Sequence, residues 1–226
     1  MNSEPKHEGW DAYWSFNAAG SHRVYALLAS IYRRIFICHR LSYWLSRAFP
    51  DGANLLHAGC GGGEVDALVS KRFRITALDI SRNALELYGK NNPHNAGLVH
   101  ADLLAEPWET EAFDGVYHLG VLEHFETPEL VRLVSNLRKM TRRGGKMVAF
   151  WPLHNAPSVK FLGLCHKLLN RAGDSQVSLH PPEVNLIASE IEACRMLEDG
   201  GWKVLSYDVS PADLYIQAVI LCERNN

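Results

Sequence analysis

A doubly wound α/β fold, a mostly parallel sheet covered by helices on both faces, is what this sequence predicts. Three observations carry that prediction. From residue 53 onward, short apolar runs alternate with helix-spaced segments; a glycine-rich turn closes the first apolar run; and two final strand-like runs are joined by a short linker.

Residues 53–58 (ANLLHA) read as the first strand, continuously apolar as a strand covered on both faces should be. The glycine turn follows and leads into a helix over about Glu64 to Ser70. RITALD (74–79) reads as the second strand, and the Ser81 hydroxyl suits the cap of a helix ending near Lys90. Short strands are expected at about 97–100 and 113–119. Thr127, Pro128 and Glu129 place a cap, a first-turn proline and an acid at the start of a helix reaching about Thr141. Gly144 and Gly145 stop it, and KMVAFW forms the next strand. Residues 152–182 break the rhythm. A helix over about Val184 to Glu198 then ends at Gly200 and Gly201. WKVLSYDV and LYIQAVILC follow as two strands, and the short linker between them predicts antiparallel neighbours.

Two segments lie outside this alternation. Residues 1–52 read as an N-terminal helical cap, with Val24, Leu27, Leu28, Ile31 and Ile35 at helical spacing and no acidic residue from Arg23 to Phe49. Residues 53–226 form the main domain, with 152–186 as a lid inserted in it. Both outer segments are apolar and basic, so they are expected either to close over an acceptor or simply to cover the core with solvated arginines.

Composition narrows the function classes. The chain has 226 residues, 47% hydrophobic and 21% charged, with a formal net charge of -2, which argues against a nucleic acid partner. The five cysteines, Cys38, Cys60, Cys165, Cys194 and Cys222, are scattered without zinc-ligand spacing. Neither a metal site nor a disulfide framework is expected. The N-terminus lacks a signal-peptide layout and no apolar run is long enough to cross a bilayer. The expectation is a cytoplasmic protein, soluble or in peripheral membrane contact.

The residues that carry chemistry sit at strand ends. His57-Ala-Gly59-Cys60-Gly61-Gly62-Gly63-Glu64 lets the backbone turn tightly and approach a ligand beside a helix start. A dinucleotide fingerprint would need a small residue where Glu64 stands, so that reading fails. Asp79 ends the second strand about 20 residues beyond Gly59, where a carboxylate can accept from both hydroxyls of a ribose. Asp102 follows the third strand and borders the same crevice. The fourth strand and its exit read FDGVYHLGVLEHF.

The run GCGGG, the strand-end Asp79, the step Ala-Asp-Leu, FDGV followed by VLEH, and RRGGKMVAF resemble, in order, the landmarks of class I S-adenosylmethionine (SAM)-dependent methyltransferases. The VLEH version is similar to the branch of ubiquinone-type and other small-molecule enzymes. The resemblance covers about residues 53–151. It implies a Rossmann-like seven-stranded sheet whose last strand is antiparallel, SAM as cofactor, and a small-molecule or lipid-like acceptor. It also implies that Gly59, Gly61 and Gly63 pass beneath the methionine part and that Asp79, with Ile80 beside it, holds the ribose. Asp102 and Leu103 would frame the adenine, and Leu119 would touch the cofactor near its sulfur. The chain departs at His57, where the family usually carries an acid at the methionine end. That departure keeps a non-catalytic SAM-binding scaffold as a competing reading, beside a methyltransferase for RNA or protein.

Because SAM arrives activated, the protein chiefly has to align the reactants, exclude water and remove any acceptor proton. His124 at the exit of the fourth strand is the candidate base, with His118 on that strand and His180 in the insert as further candidates. Tyr13 and Trp14 are placed to close over a sulfonium, or to pack the leading helix on the core.

Overall fold

The structure is a computed structural model and describes residues 9–11, 13–14, 30–154, 156 and 183–225. His180, Arg23, Cys165 and most of the proposed lid lie outside the described residues.

Seven strands form one sheet: β1 (Asn54–Ala58), β2 (Arg74–Asp79), β3 (Gly97–His100), β4 (Phe113–Leu119), β5 (Thr141–Pro152), β6 (Trp202–Val209) and β7 (Gln217–Arg224). Their order is β3-β2-β1-β4-β5-β7-β6. The pairs β1–β2, β1–β4, β2–β3 and β4–β5 are parallel, whereas β7 lies antiparallel between β5 and β6. The last two strands are therefore antiparallel neighbours, and the final strand alone is reversed.

Among the described residues, four helices of ten residues or more flank the sheet: α1 (Cys38–Ala48), α2 (Arg82–Asn91), α3 (Thr127–Met140) and α4 (Glu190–Asp199). A wider π-helical turn, Arg33–Ile37, leads into α1. Strand side chains alternate between the faces, so Leu55 and Leu56 point to different cores. On one face Leu56, Val116, Met147 and Trp151 pack with Leu133 and Leu137 of α3 and Leu197 of α4. On the other, Leu55, Ile75, Tyr117 and Phe150 pack with Leu41 and Leu45 of α1 and Tyr88 of α2. Two fully buried indoles have their N–H groups satisfied: Trp151 donates to the Asn185 carbonyl (2.8 Å) and Trp202 to that of Val134 (2.8 Å).

Local chemistry explains most boundaries. Ser81 Oγ accepts from the Ala84 N–H, so α2 starts where its cap is. Four expectations need correction. Gly144 and Gly145 do not stop the preceding helix, which ends at Met140; both lie within β5. Residues 64–70 form only a short 3₁₀ turn, Glu64–Leu68, whose Asp66 is tied to His57, Tyr88 and Tyr117 by hydrogen bonds. The helix expected from Val184 starts at Glu190. The N–H groups of Val184 and Asn185 both donate to the Glu123 carbonyl, and Ile187 bridges to Leu153, so residues 184–188 cannot be helical. The last strand starts at Gln217, since Leu214 and Tyr215 are left-handed (φ 61° and 57°) beyond a 3₁₀ turn at Pro211–Asp213. Among the described residues, no helix is long and apolar enough to cross a membrane.

Candidate active site

The strand order reverses between β1 and β4: from β1 the chain moves outward to β2 and β3, and β4 returns to its other side. Connections leaving such neighbours diverge and leave a crevice beyond the carboxyl ends of the strands. The glycine turn lies there. Gly59, Gly61 and Gly63 have φ of 64°, 51° and 69°, a region costly for residues with a Cβ. A Cβ on Gly63 would also sit 2.3 Å from Tyr88 Cδ2.

Asp79, at the end of β2, ties this turn to the next helix. Its Oδ2 accepts from the Gly61 N–H (2.8 Å) and its Oδ1 from the Ser81 N–H (2.9 Å). Burial pushes the carboxyl above its ordinary range, against the opposing effect of the Ser81 and Gly61 N–H groups. Two ionised oxygens offer about four lone-pair positions, so two remain for hydroxyls of a ligand. The neighbouring strand brings Asp102 to the same edge: Asp79 is in register with His100, and the Ala101 N–H donates to the Asp79 carbonyl (3.2 Å). One Asp102 oxygen accepts from the Leu104 N–H (2.8 Å), and Leu103 is buried. Ile80 stays partly exposed, its carbonyl 2.9 Å from His100 Nε2. Leu119 ends β4 on the far side of the crevice.

Residues of the N-terminal segment span this edge. Trp14 lies against the glycine turn, 2.7 Å from where a Gly61 Cβ would be. The Asp11 carboxylate accepts from Ser81 Oγ (2.5 Å), which lowers its pKa, and the Asp11 carbonyl accepts from Asn83 Nδ2 (3.2 Å). Trp10 meets the His124 ring edge-on, with centroids 5.1 Å apart. The segment thus runs from the exit of β2 to that of β4. An open depression of about 530 Å³ lined by Ser70, Arg74 and His94 is elsewhere, at the start of β2.

Residues 56–149 match the family described as Methyltransferase domain. Over that stretch, less than half of its length, the chain is similar to a methyltransferase domain. Among curated relatives, it is similar to demethylmenaquinone methyltransferase of Staphylococcus aureus, 28% identical over 144 residues covering 56% of this chain and 58% of that protein. The chain therefore spans less than two thirds of the curated relatives it matches first. Among solved structures it resembles 1,6-didemethyltoxoflavin-N1-methyltransferase of Burkholderia thailandensis, with S-adenosylhomocysteine (SAH) bound. The TM-score is 0.65 at 15% identity, over 100% of this chain and 93% of that one. It also resembles the [4+2]-cyclase SpnF, with a TM-score of 0.61 at 14% identity over 82% of this chain and 80% of that one. At such identities these likenesses establish the fold alone.

Within the matched stretch, His57 points into the protein. It is 1% exposed, its Nδ1 lies 2.7 Å from Asp66 Oδ2, and its ring stacks on Tyr117 (4.4 Å). The same Asp66 oxygen accepts from the hydroxyls of Tyr88 (2.6 Å) and Tyr117 (2.8 Å). This buried cluster links β1, the turn after the glycines, α2 and β4. Sequence reading missed Asp66, whose only signal was its place nine positions after a strand-end histidine.

The catalytic candidates separate by environment. His118 is fully buried on β4, its ring nitrogens have no hydrogen-bond partner among the described residues, and burial pulls its pKa down to about 3. It stays neutral and enclosed. His124 is partly exposed at the crevice beside Trp10. Its neighbour Glu123, which sequence reading also missed, is 3% exposed, with Oε1 4.0 Å from His124 Nε2. Burial pushes the Glu123 carboxyl up to about 8, and the nearby charge of Glu183 adds to the effect. The folded state then holds this proton more tightly than the unfolded chain does. Stability from this group is present at acid pH and is lost as pH rises from the ordinary glutamate range to about 8. Glu123→Gln should flatten that decline, measured as melting temperature against pH. An unchanged slope would show that the carboxyl is not buried as described.

Proposed function

We propose that this protein binds SAM in the crevice between β1 and β4 and transfers its methyl group to a small-molecule or lipid-like acceptor. The observation that carries the reading is the Gly61–Asp79 hydrogen bond at the strand-order reversal, with Asp102 on the adjoining strand end. A flexible turn, a ribose acceptor and a third strand-end carboxylate share one edge there. Bound SAM supplies a methyl group on a sulfonium, an excellent leaving group.

The chain's own residues then bind and orient. Gly59, Gly61 and Gly63 admit the methionine tail, with His57 fixing the strand end through Asp66. Asp79 and Ile80 take the ribose, Asp102 and Leu103 the adenine, and Leu119 the region of the sulfur. Residues 1–52 act as a cap and 152–186, including His180, as a lid on the domain of 53–226. The likeness to the staphylococcal demethylmenaquinone methyltransferase supports a small-molecule or lipid-like acceptor. Exposed Ile35 and Phe36 beside Arg33 and Arg34 suit peripheral membrane contact for a cytoplasmic enzyme.

Calorimetry with SAM tests the cofactor, and methyl transfer from labelled SAM into a lipid and metabolite extract tests the acceptor. Binding without transfer would favour a non-catalytic scaffold; no binding would end the proposal. Within this reading, His124→Ala should slow transfer about 10²-fold or more while SAM affinity changes less. Normal turnover would dismiss His124 as a base.

A further inference from the structure

Glu123 has a combination of features that nothing in the fold accounts for. Its carboxyl is almost wholly buried, yet Oε2 has no hydrogen-bond partner among the described residues. A buried carboxyl left half-satisfied costs stability, so such a group calls for a reason. Its position supplies one. Oε1 lies 3.1 Å from where a Cβ on Gly120 would be, and Gly120, left-handed at φ 66°, directly follows Leu119 at the crevice. Any side chain at 120 would come between the carboxyl and that end of β4. The backbone of Glu123 is held too, since its carbonyl accepts from the Val184 (2.7 Å) and Asn185 (3.0 Å) N–H groups.

We propose that Glu123 is a catalytic residue: the positive charge of the bound cofactor ionises its carboxyl, which then takes the proton from an acceptor hydroxyl. The titratable groups that face it are His124 on its own turn and Glu183 on the segment before α4. Glu183 opposes ionisation and supplies no positive charge. A sulfonium in the crevice does.

The step balances. As the acceptor oxygen forms its bond to the methyl carbon, the carbon–sulfur bond breaks and its electron pair leaves the sulfur neutral. The acceptor's proton passes to the Glu123 carboxylate. The partly exposed His124, 4.0 Å away, lies on the outward path for that proton. Trp10 packs edge-on against the His124 ring at that exit.

This inference rests on the proposed SAM site and is tested apart from it by proton counting. SAM and SAH are each titrated into the full chain at pH 7 in two buffers of different ionisation enthalpy. SAM should release close to one proton and neutral SAH close to none. Glu123→Gln should bind SAM about tenfold more weakly at pH 7, without the release, and should transfer methyl at least 100-fold more slowly in the labelled-methyl screen. Equal proton release with SAM and SAH in the unaltered protein, or full turnover by Glu123→Gln, would overturn the role of Glu123 and leave the SAM site standing. Failure of the unaltered protein to bind either ligand would instead overturn the SAM site itself, and this inference with it. The SAM-against-SAH comparison needs no variant, so a misfolded Glu123→Gln does not rescue the idea.

Discussion

Asp66→Ala should cost about 3–5 kcal/mol of folding stability, the range for removing one partner from a buried charged pair. Asp66 is fully buried, and its Oδ2 collects hydrogen bonds from His57, Tyr88 and Tyr117. Alanine would strand three buried polar groups at once, and none can turn to water, because His57 and both tyrosines are themselves at most 1% exposed. Asp66→Asn keeps an acceptor oxygen and should lose less. Urea denaturation at neutral pH measures both, and a loss below about 1 kcal/mol for Asp66→Ala would show the cluster to be incidental. The glycine turn should loosen as well, since Tyr88 packs where a Gly63 side chain would be.

Asp79→Ala should weaken SAM binding at least tenfold, about 1.4 kcal/mol. Two effects add. The ribose hydroxyls lose their acceptor, and the N–H groups of Gly61 and Ser81 lose the carboxylate that aims the turn and starts α2. Asp79→Asn, which retains one acceptor oxygen but adds donors, should fall between the two. Calorimetry gives the affinities, and a thermal melt separates loss of the site from loss of the fold. A variant that melts normally and binds SAM at wild-type affinity would remove Asp79 from the site.

The strand ends were legible because their chemistry is local. A run such as RITALD followed by a capping serine specifies a strand, a stop and a helix start within nine positions, and Ser81 does cap α2. The glycines were legible for the same reason, since positive φ at 59, 61 and 63 is a property of the backbone alone. Glu123 and Asp66 were not. In a sequence each is one more acid on a short turn. Only the burial imposed by distant elements, α4's leading segment over Glu123 and Tyr88 and Tyr117 around Asp66, separates them from solvated carboxylates. His57 was misleading for a related reason: its position suggested a ligand contact, and its neighbours turned it inward.

What this sequence determined by itself was the alternation of strands and helices, the turn chemistry at strand ends and the order of the landmarks along the chain. Those follow from side-chain periodicity and backbone sterics acting over a few residues. The tertiary structure alone decided that β7 enters between β5 and β6, that residues 184–188 stay extended to bind the Glu123 carbonyl, and which acids lose water. Each of those outcomes depends on desolvation and hydrogen bonding between segments tens of residues apart, and pattern along the chain carries no record of that distance.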